Sequence, residues 1–290
     1  PRSRRTLGGT ASRKDLDMVT SVARPATTSH GVSELVRVWE PGTDARAEMV
    51  LVHGLGEHSG RYERTGRLLA DAGLRITSFD LVGFGASGGV RGDIESWPVY
   101  LDQVESHLVE LGGGLPRILM GHSMGGLIAL EYALSARPAP DLLILSSPGL
   151  SGGKAWQRSV AGVAASLTPK VSVPNGLSGD QLSRDPAVAE AYFSDPLVLT
   201  KSTTRLGAEL FSAMDRVNAN LGALAVPTLV IHGGADTIVP ASASAVLAAL
   251  PTVERRLYPK LRHETMNEPE GPQVVAEIIA WLDRHLTIGG

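Results

Sequence analysis

The sequence predicts an α/β protein: a mostly parallel β-sheet with helices on both faces and an inserted cap, or lid. Two observations lead to this prediction. Short apolar runs alternate with amphipathic stretches of helical period along most of the chain, as expected for successive strand–helix–strand units. The alternation then stops between Gly149 and about Asn218. We interpret this segment as a cap carried above the carboxyl ends of the strands, where ligands bind in such folds.

The apolar runs are predicted to be strands and the amphipathic stretches helices. The strand-like runs lie near 35–39, 49–53, 74–79, 117–121, 141–146, 226–232 and 253–258. The helical stretches lie near 61–72, 98–111, 124–136, 241–250 and 272–286. The predicted organisation is a polar leader at 1–32, a core formed by 33–148 and 219–290, and the cap at 149–218.

Composition restricts the class of protein. A length of 290 residues suits one large α/β domain with an insertion, or two small domains. A hydrophobic content of 43% and a formal net charge of −3 are ordinary for a globular protein, and the absence of a basic field argues against a nucleic-acid partner. The chain has no cysteine, which excludes disulfides, thiol nucleophiles and thiolate metal sites.

The first thirty or so residues are polar and basic, without the apolar core of a signal peptide. Met18 resembles a natural start, so we leave residues 1–17 out of the predicted fold. No apolar run approaches the length of a membrane span. We therefore expect a cytoplasmic or membrane-peripheral protein, and a composition rich in Ala, Gly and Arg but poor in Lys is typical of a bacterial source of high GC content.

Residues Gly121-His122-Ser123-Met124-Gly125 read G-x-S-x-G and lie between an apolar run, 118–120, and a helix-like run, 126–133. A strand that turns sharply into a helix at a serine holds this residue in a strained conformation and exposes its side chain. Glycines two positions before and after are needed because side chains there would collide with the neighbouring strand or helix. Ser123 is therefore predicted to be a catalytic nucleophile. An ordinary N-cap serine would not need three surrounding glycines.

A serine nucleophile needs a general base, a group that orients the base, and an oxyanion hole. When the serine follows a strand of an α/β sheet, the acid and then the base come later in the chain. Asp236 follows the strand-like run 226–232, and His263 lies just ahead of the last helix. Asp236 is predicted to orient His263, which takes the Ser123 proton and delivers it to the leaving alkoxide. A turn or N-cap role for Asp236 stays open.

The other histidines compete with His263 for the role of base. His53 and His232 end strand-like runs, where we expect hydrogen bonds that anchor loops. His122 lies inside the serine motif, where its ring cannot easily reach the hydroxyl. The rest lie in a loop, on helical stretches or in the leader: His58, His107, His285 and His30. His263 is preferred because of its position in the chain.

Backbone N–H groups are expected to form the oxyanion hole, because fixed dipoles need no reorganisation when charge develops. One donor is Met124, the residue after the serine. The second should follow an early strand, and the run 48–53 leads directly into Gly54-Leu55-Gly56. Leu55 is predicted to be this second donor, and its flanking glycines let the loop approach the substrate.

One further motif is rejected. Residues 83–88 match G-x-G-x-x-G after a strand-like run, but a loop follows where a dinucleotide site needs a helix N-terminus. The nearest suitable acid, Asp102, also falls within a helical stretch. No His, Asp or Glu cluster has the spacing of metal ligands. We expect neither a cofactor nor a metal.

Within the cap, Trp156, Val160, Val163 and Leu167 share one face at helical spacing. The sequence leaves two interpretations of this stripe open. It is either an apolar lid that meets lipid or an acyl chain, or the buried face of a helix packed on its own domain. A transient contact between the cap and a lipid surface follows from the first interpretation only.

Five segments together resemble the monoacylglycerol lipase group of α/β-hydrolases, and the resemblance covers roughly residues 33–286. They are His53-Gly54-Leu55-Gly56-Glu57-His58-Ser59-Gly60-Arg61-Tyr62, Phe79-Asp80-Leu81-Val82-Gly83-Phe84-Gly85-Ala86-Ser87, Gly121-His122-Ser123-Met124-Gly125-Gly126, Leu182-Ser183-Arg184-Asp185-Pro186 and Ser194-Asp195-Pro196-Leu197-Val198. The resemblance implies the α/β-hydrolase fold and a serine hydrolase that cleaves carboxylic monoesters, a small-molecule substrate.

The resemblance also implies roles for individual residues. Those that match the family's triad are Ser123, Asp236 and His263, and those that match its oxyanion donors are Leu55 and Met124. Glu57 and Arg61 match positions near the family's polar pocket for the glycerol head group. Asp80 matches a position in a structural loop, which supports excluding it as the catalytic acid.

Two positions depart from the mammalian members of the group. Val239 stands where these members carry a cysteine, and Met266 stands where they carry a second histidine. Both residues should border the leaving alcohol, and apolar groups there weaken a site built to hydrogen-bond hydroxyls. Monoacylglycerol-type monoesters are therefore the expected substrates, and aromatic or simple alkyl monoesters, such as monoalkyl phthalates, are the alternative.

Two other functions stay open. A peptidase of the proline-iminopeptidase group, or an acyltransferase, would use the same triad, and Glu190 or Asp195 would supply the acidic group that recognises an amine. A non-catalytic protein of the same fold would bind a small hydrophobic ligand. The complete triad and both oxyanion loops favour ester hydrolysis. No pattern in the sequence indicates an oligomeric state.

Overall fold

The structure is a computed structural model that describes residues 20–153 and 155–286, with the side chains of 155–159 outside the description. The strands of this part of the chain are β1 (Val22–Thr27), β2 (Ser33–Trp39), β3 (Ala47–Val52), β4 (Leu74–Phe79), β5 (Arg117–His122), β6 (Leu142–Ser146), β7 (Ser172–Pro174), β8 (Lys201–Thr203), β9 (Thr228–Gly233) and β10 (Val253–Tyr258). The helices are α1 (Glu63–Asp71), α2 (Pro98–Glu110), α3 (Met124–Leu134), α4 (Ala155–Leu167), α5 (Gly179–Leu182), α6 (Pro186–Ser194), α7 (Thr204–Asn220) and α8 (Gly271–Leu286).

The main sheet has eight strands in the order β1-β2-β4-β3-β5-β6-β9-β10. The six strands from β4 to β10 in this order are parallel, whereas β2 is antiparallel to both β1 and β4. The four central strands β3, β5, β6 and β9 are buried along nearly their whole length. Strands covered on both faces have continuous apolar sequences, which explains why the apolar runs predicted these four strands.

The register of the central strands brings their carboxyl ends into line. Val52 of β3 pairs with Gly121 of β5, which pairs with Leu145 of β6, which in turn pairs with Val230 of β9. The loops that follow these strands therefore meet at one edge of the sheet. The Ser123 motif, the Leu55 loop and the loop that carries Asp236 all begin at this edge.

Two apolar clusters hold the helices on the two faces of the sheet. One cluster combines residues of α2, α3 and α7 with the sheet, and the other combines residues of α1 and α8 with the opposite face. The predicted α/β fold with helices on both faces is confirmed. Apart from the helix near 245 and strand β1, the predicted core elements lie within two residues of the observed ones, which is the ordinary scatter of element ends.

The prediction of an amphipathic helix over 241–250 is wrong. Residues Ala241–Ala249 form 3₁₀ turns. The Ser244 hydroxyl is bonded to the Ala241 carbonyl and to the His232 ring. Short hydroxyl side chains that bond nearby backbone groups compete with the α-helical ladder, and the first five residues of this stretch are Ala and Ser in alternation.

Part of the polar leader predicted at 1–32 belongs to the sheet. Strand β1 lies within it and pairs with β2 from Val22↔Val38 to Thr27↔Ser33. The strand was missed because it is an exposed edge strand with little apolar content, and Pro25 within it is tolerated only at such an edge. Residues 1–17 lie outside the described residues.

The predicted insertion runs between β6 and β9, which are neighbours in the sheet. It contains α4 to α7 and the small two-stranded sheet β7-β8. The predicted boundary at 218 falls inside α7, because this helix packs against α3 and buries Leu206, Ala213 and Val217 in the core. Among the described residues, no helix is both long enough and apolar enough to cross a membrane.

Two helical glycines provide a test of the packing. Gly66 and Gly207 are each the fourth residue of their helix, α1 and α7. A Cβ at Gly66 would lie 2.5 Å from the ring of the fully buried Trp39, whereas a Cβ at Gly207 meets nothing within 4 Å. Gly66→Ala should therefore destabilise the protein by about 1–3 kcal/mol. Gly207→Ala should stabilise it by about 0.5–1 kcal/mol. Urea unfolding measures both changes, and the same sign for both would contradict this account.

Candidate active site

The backbone of Ser123 adopts a strained conformation at the junction of β5 and α3. Its φ is 53° and its ψ is −117°, and only Ser147 shares a positive φ among the described non-glycine residues. A Cβ at Gly125 would lie 2.2 Å from the Val52 carbonyl oxygen, and one at Gly121 would lie 2.2 Å from the Gly125 oxygen. These positions admit no side chain. The predicted strand–turn–helix setting of Ser123 is thus present, with both glycines required.

Asp236 and His263 form a buried hydrogen-bonded pair. The two atoms His263 Nδ1 and Asp236 Oδ2 lie 2.7 Å apart, and both residues are buried. Because Nδ1 faces a carboxylate it carries the proton, which leaves Nε2 as the acceptor nitrogen. Burial alone would raise the pKa of Asp236, but hydrogen bonds from His232 and His263 outweigh this effect and hold the pKa far below its usual value.

His263 lies beside the serine motif. Its ring centroid is 4.8 Å from that of His122, the residue before Ser123. The Ser123 hydroxyl makes no hydrogen bond within the described residues. Hydrogen bonds between a catalytic serine and its base are often long until substrate binds, so this geometry is compatible with proton transfer from Ser123 to His263.

The loop that carries His263 is fixed from two sides. The Ser147 hydroxyl donates to the His263 carbonyl at 2.9 Å. The Glu264 N–H donates to the Leu182 carbonyl at 2.9 Å, at the end of α5 in the inserted segment. The loop of His263 is therefore held between the carboxyl end of β6 and the insertion.

The N–H groups of Leu55 and Met124 donate no hydrogen bond within the described residues. Their neighbours are satisfied, since the Gly54 N–H donates to Glu57 Oε1 at 2.6 Å and the Ser123 N–H donates to the Ser146 carbonyl at 2.9 Å. A Cβ at Gly54 would lie 3.2 Å from the Ser123 Cβ, so the loop approaches the serine closely. Two unpaired donors near one serine are what an oxyanion hole requires.

A buried charge network lies below this loop. The Arg61 guanidinium donates to both oxygens of Glu264 at 2.8 Å and also to Glu57 Oε2. The Tyr62 hydroxyl donates to Glu57 Oε1 at 2.6 Å. Burial would raise the pKa of Glu57, but the charges of Arg61 and His122 lower it to about 2. The network also reaches the insertion, since Arg61 lies 4.7 Å from the centre of the Tyr192 ring.

The residues predicted to bind substrate are not all in one place. Glu57 and Met266 line a small cavity of about 10 Å³, room for about one water molecule, and Arg61 is bonded to Glu57 beside it. Val239 lies instead in the loop that contains Asp236, and its N–H donates to the Asp236 carboxylate at 2.9 Å. The full lining is Glu57, Tyr62, Thr65, His122, Glu264, Met266 and Asn267.

No group of three or more His, Cys, Asp or Glu side chains in the described ranges has the arrangement of a metal site. The rejected glycine motif at 83–88 is followed by a loop, and α2 begins only at Pro98. Asp80 is engaged by the loops around it, because it accepts hydrogen bonds from Ser59 and from the Ala86 N–H. The structural role implied for this residue is confirmed.

The structure adds three residues that sequence reasoning missed: Ser147, Glu264 and Tyr62. Ser147 follows a buried strand directly and Glu264 follows the predicted base, and these two positions were the available signals. The loop-anchoring hydrogen bonds expected for His53 and His232 are confirmed. His53 bonds the Gly54 carbonyl and the Leu81 N–H, and His232 bonds the Val239 carbonyl.

The sheet topology and the serine motif at the carboxyl end of β5 define an α/β-hydrolase. Within this class the chain belongs to the Hydrolase_4 family, described as serine aminopeptidase, S33, which it matches over residues 43–270. It is 34% identical to a monoacylglycerol lipase of Mycolicibacterium smegmatis, over 88% of this chain and 95% of that protein. It is 30% identical to the human monoglyceride lipase, over 88% of each chain.

A solved structure agrees with these relatives. The crystal structure of the Paleococcus ferrophilus monoacylglycerol lipase matches with a TM-score of 0.80 and 32% identity, over 88% of this chain and 99% of that one. The resemblance to the monoacylglycerol lipase group is therefore confirmed. The chain is a serine ester hydrolase of the α/β-hydrolase fold.

The buried His122 should make stability depend on pH. Burial, followed by the neighbouring His263, lowers the pKa of His122 from 6.5 to about 4. Between these values the unfolded chain binds a proton that the folded chain does not, so stability falls as the pH falls. Between pH 8 and pH 4, protonation of His122 in the unfolded chain should lower the free energy of unfolding by up to about 3 kcal/mol.

His122→Gln should lack this part of the pH dependence. Urea unfolding at pH 8, where His122 is neutral in both states, gives the packing cost of the substitution. The difference between variant and wild type should then narrow or reverse towards pH 4. If the free energies of unfolding of variant and wild type changed in parallel from pH 8 to pH 4, His122 would not be the source of this pH dependence.

Proposed function

We propose that this chain hydrolyses neutral carboxylic monoesters of the monoacylglycerol type through Ser123, His263 and Asp236. The observation that carries the proposal is the pair of unpaired N–H groups, Leu55 and Met124, beside a serine held at a strained strand–helix junction. The Asp236–His263 pair supplies the oriented base that such a serine needs.

In the first half of the reaction, the Ser123 hydroxyl oxygen attacks the ester carbonyl and its proton passes to His263 Nε2. The carbonyl oxygen becomes negative and accepts hydrogen bonds from the Leu55 and Met124 N–H groups. The Asp236 carboxylate stabilises the imidazolium that forms. The bond to the alcohol oxygen then breaks, and the Nε2 proton moves to this oxygen, which leaves as a neutral alcohol.

In the second half, a water molecule attacks the acyl-enzyme. His263 Nε2 takes one proton of the water, and the oxygen adds to the acyl carbon. The same two N–H groups stabilise the second oxyanion. Collapse releases the carboxylic acid, and the proton returns from His263 to Ser123.

The charges of the site favour a neutral substrate. The network below the oxyanion loop places two carboxylates, Glu57 and Glu264, around one guanidinium, Arg61. Both hydrogen-bonding ends of Arg61 are engaged by these carboxylates. A monoalkyl phthalate carries a negative charge of its own, and it would meet net negative charge here without a cation to pair with. The neutral esters, glyceryl and simple alkyl, fit this arrangement better.

Met266 and Val239 are proposed to lie on the side of the leaving alcohol, and a different observation supports each placement. Met266 lies in the wall of the small cavity beside Glu57. Val239 is buried in the turn that carries the catalytic carboxylate. Glu57 and Arg61 then form the polar floor of the alcohol side, and an apolar Met266 reduces the number of donors available to a glyceryl hydroxyl.

We also propose that segment 149–218 is the cap, and that it touches a lipid surface. Val160, Val163 and Leu167 of α4 are 47%, 62% and 77% exposed. For these three residues the interpretation of a stripe packed on its own domain is therefore wrong, while the side chain of Trp156 lies outside the described residues. Exposed apolar side chains on one helix fit a peripheral contact with lipid.

Amine recognition has weak support in this site, although the family description names an aminopeptidase. Of the two acids considered for it, Asp195 is bonded to His58 at 2.8 Å and to the Leu197 N–H. Glu190 is exposed on α6. Neither presents a free, buried carboxylate to an amine, and the complete catalytic pair argues against a non-catalytic ligand binder.

Ser123→Ala should abolish esterase turnover, with a loss of at least about 10⁴-fold in kcat. The fold should survive, because alanine meets the same backbone strain as serine. The measurement is kcat/KM on 1-monoacylglycerols of graded chain length, simple alkyl esters and monoalkyl phthalates. Ser106→Ala, on α2, where the hydroxyl donates to the Asp102 carbonyl within the same helix, should retain full activity. Turnover by a folded Ser123→Ala variant would disprove the mechanism.

Met266→His should shift preference towards glyceryl esters, because it adds a hydrogen-bonding group to the cavity wall. The expected increase is roughly threefold to tenfold in the ratio of kcat/KM for glyceryl over methyl esters of one acyl chain, the effect of one modest hydrogen bond. Met266→Leu keeps an apolar wall and should leave the ratio unchanged. If the ratio of kcat/KM for glyceryl over methyl esters were the same in both variants, Met266 would not border the leaving alcohol.

A further inference from the structure

Three hydrogen bonds and one longer contact, from the His232 ring, converge on the carboxylate of Asp236. The N–H groups of Ile238 and Val239 each donate to Oδ1 at 2.9 Å. His263 Nδ1 donates to Oδ2 at 2.7 Å, and His232 Nε2 lies 3.2 Å from the same oxygen. A carboxylate has about four lone-pair positions, and the three hydrogen bonds and the His232 contact together account for them. The proposed mechanism uses only one of these donors.

The His232 ring donates to the Val239 carbonyl and has Asp236 Oδ2 as a second, longer contact. The residue is fully buried near the end of β9. Its Nε2 faces two acceptors, the Val239 carbonyl at 2.9 Å and Asp236 Oδ2 at 3.2 Å, and therefore carries a hydrogen. Its Nδ1 faces the Ser244 hydroxyl at 2.8 Å. The ring thus connects the central strand β9 with two groups of the Asp236 loop, the Val239 carbonyl and the Asp236 carboxylate.

We propose that His232 is a positioning residue, which fixes Asp236 Oδ2 towards His263 and takes part of the carboxylate charge. The inference rests on the proposed function, because it assigns a second partner to the same catalytic acid. The Oδ1 contacts come from the loop of Asp236 itself and cannot locate that loop relative to the sheet. His232 can, since β9 is paired on both sides.

The charge effect has a definite sign. A donor on Oδ2 withdraws negative charge from the oxygen that stabilises the His263 imidazolium. Removing the donor returns that charge, so the imidazolium forms more readily during the reaction and the acid limb of kcat/KM should move to higher pH. The other groups near the pair are His122, and Glu264 with its partner Arg61. Arg255 faces His232 through Ser244. All of these remain in the variants below.

Two isosteres of histidine separate the proposed role from a merely structural one. In His232→Gln the side-chain amide nitrogen takes the place of Nε2, so the donor to Asp236 is kept. In His232→Asn the amide takes the place of Nδ1, so the contact with Ser244 is kept, while the donor to both the Val239 carbonyl and Asp236 is lost. Only the position of the acid limb separates the loss of the Asp236 contact from the loss of the Val239 bond. Both variants have similar polarity and fill most of the same space.

The test is the pH profile of kcat/KM for a neutral ester. We expect His232→Gln to stay within about threefold of wild type with an unchanged acid limb. We expect His232→Asn to lose about 10- to 100-fold in kcat/KM, as losses of second partners do, with the acid limb moved up by about half a pH unit or more. Equal losses in both variants with an unchanged acid limb, or no loss in either, would overturn the proposal.

A second readout does not need turnover. The proton between His263 Nδ1 and Asp236 should give a far-downfield proton resonance, and His232→Asn should shift it while His232→Gln restores it. A shift in this resonance without any esterase activity in the wild type would refute the proposed function and keep the hydrogen-bond assignment. Identical resonances in wild type and His232→Asn would overturn the role of His232 whatever the activity.

Discussion

The close approach of three backbone segments around Ser123 is the constraint on which the rest of the site depends. Gly125 lies against the carbonyls of β3, and Gly121 lies against α3. This contact drives the chain through a positive φ at Ser123 and starts α3 immediately after it. The Met124 N–H is then the first of a helix, where no intrahelical acceptor exists. One backbone constraint thus exposes the hydroxyl and produces an unpaired donor beside it.

The second proposed oxyanion donor, the Leu55 N–H, is positioned in a different way, because Leu55 lies in a loop. Glu57 holds this loop by accepting the Gly54 N–H, and Arg61 fixes Glu57 and Glu264 together. Buried charges are expensive unless they are paired and hydrogen-bonded, and here the carboxylate oxygens of both residues have donors. The same network therefore ties the oxyanion loop to the loop of the proposed base. It also leaves net negative charge near the proposed alcohol side, which is the electrostatic reason to expect neutral substrates.

The sequence was informative where one short segment determines the geometry. The G-x-S-x-G motif, the strand ends before Asp236 and His263, and the buried parallel strands are local patterns, and the chain order of acid and base follows from the topology. Two of the residues missed by this reasoning act across the fold: Glu264 is bonded to Arg61, 203 positions away in the chain, and Ser147 donates to the His263 carbonyl, 116 positions away. Strand β1 was missed because an exposed edge strand needs little apolar content. Nothing local distinguishes such residues from surface polar groups.

The inserted segment has two parts with different environments, and this bears on how substrate reaches Ser123. Leu182 and Ser183 at the end of α5 are buried, and their carbonyls accept hydrogen bonds from Glu264 and Arg262, next to the proposed base. By contrast, α4 exposes Val163 and Leu167 to solvent. A rigid swing of the whole segment would break the bonds that hold the His263 loop. Movement that admits an acyl chain is therefore expected in α4, while the stretch around Leu182 stays in place and keeps the proposed base oriented.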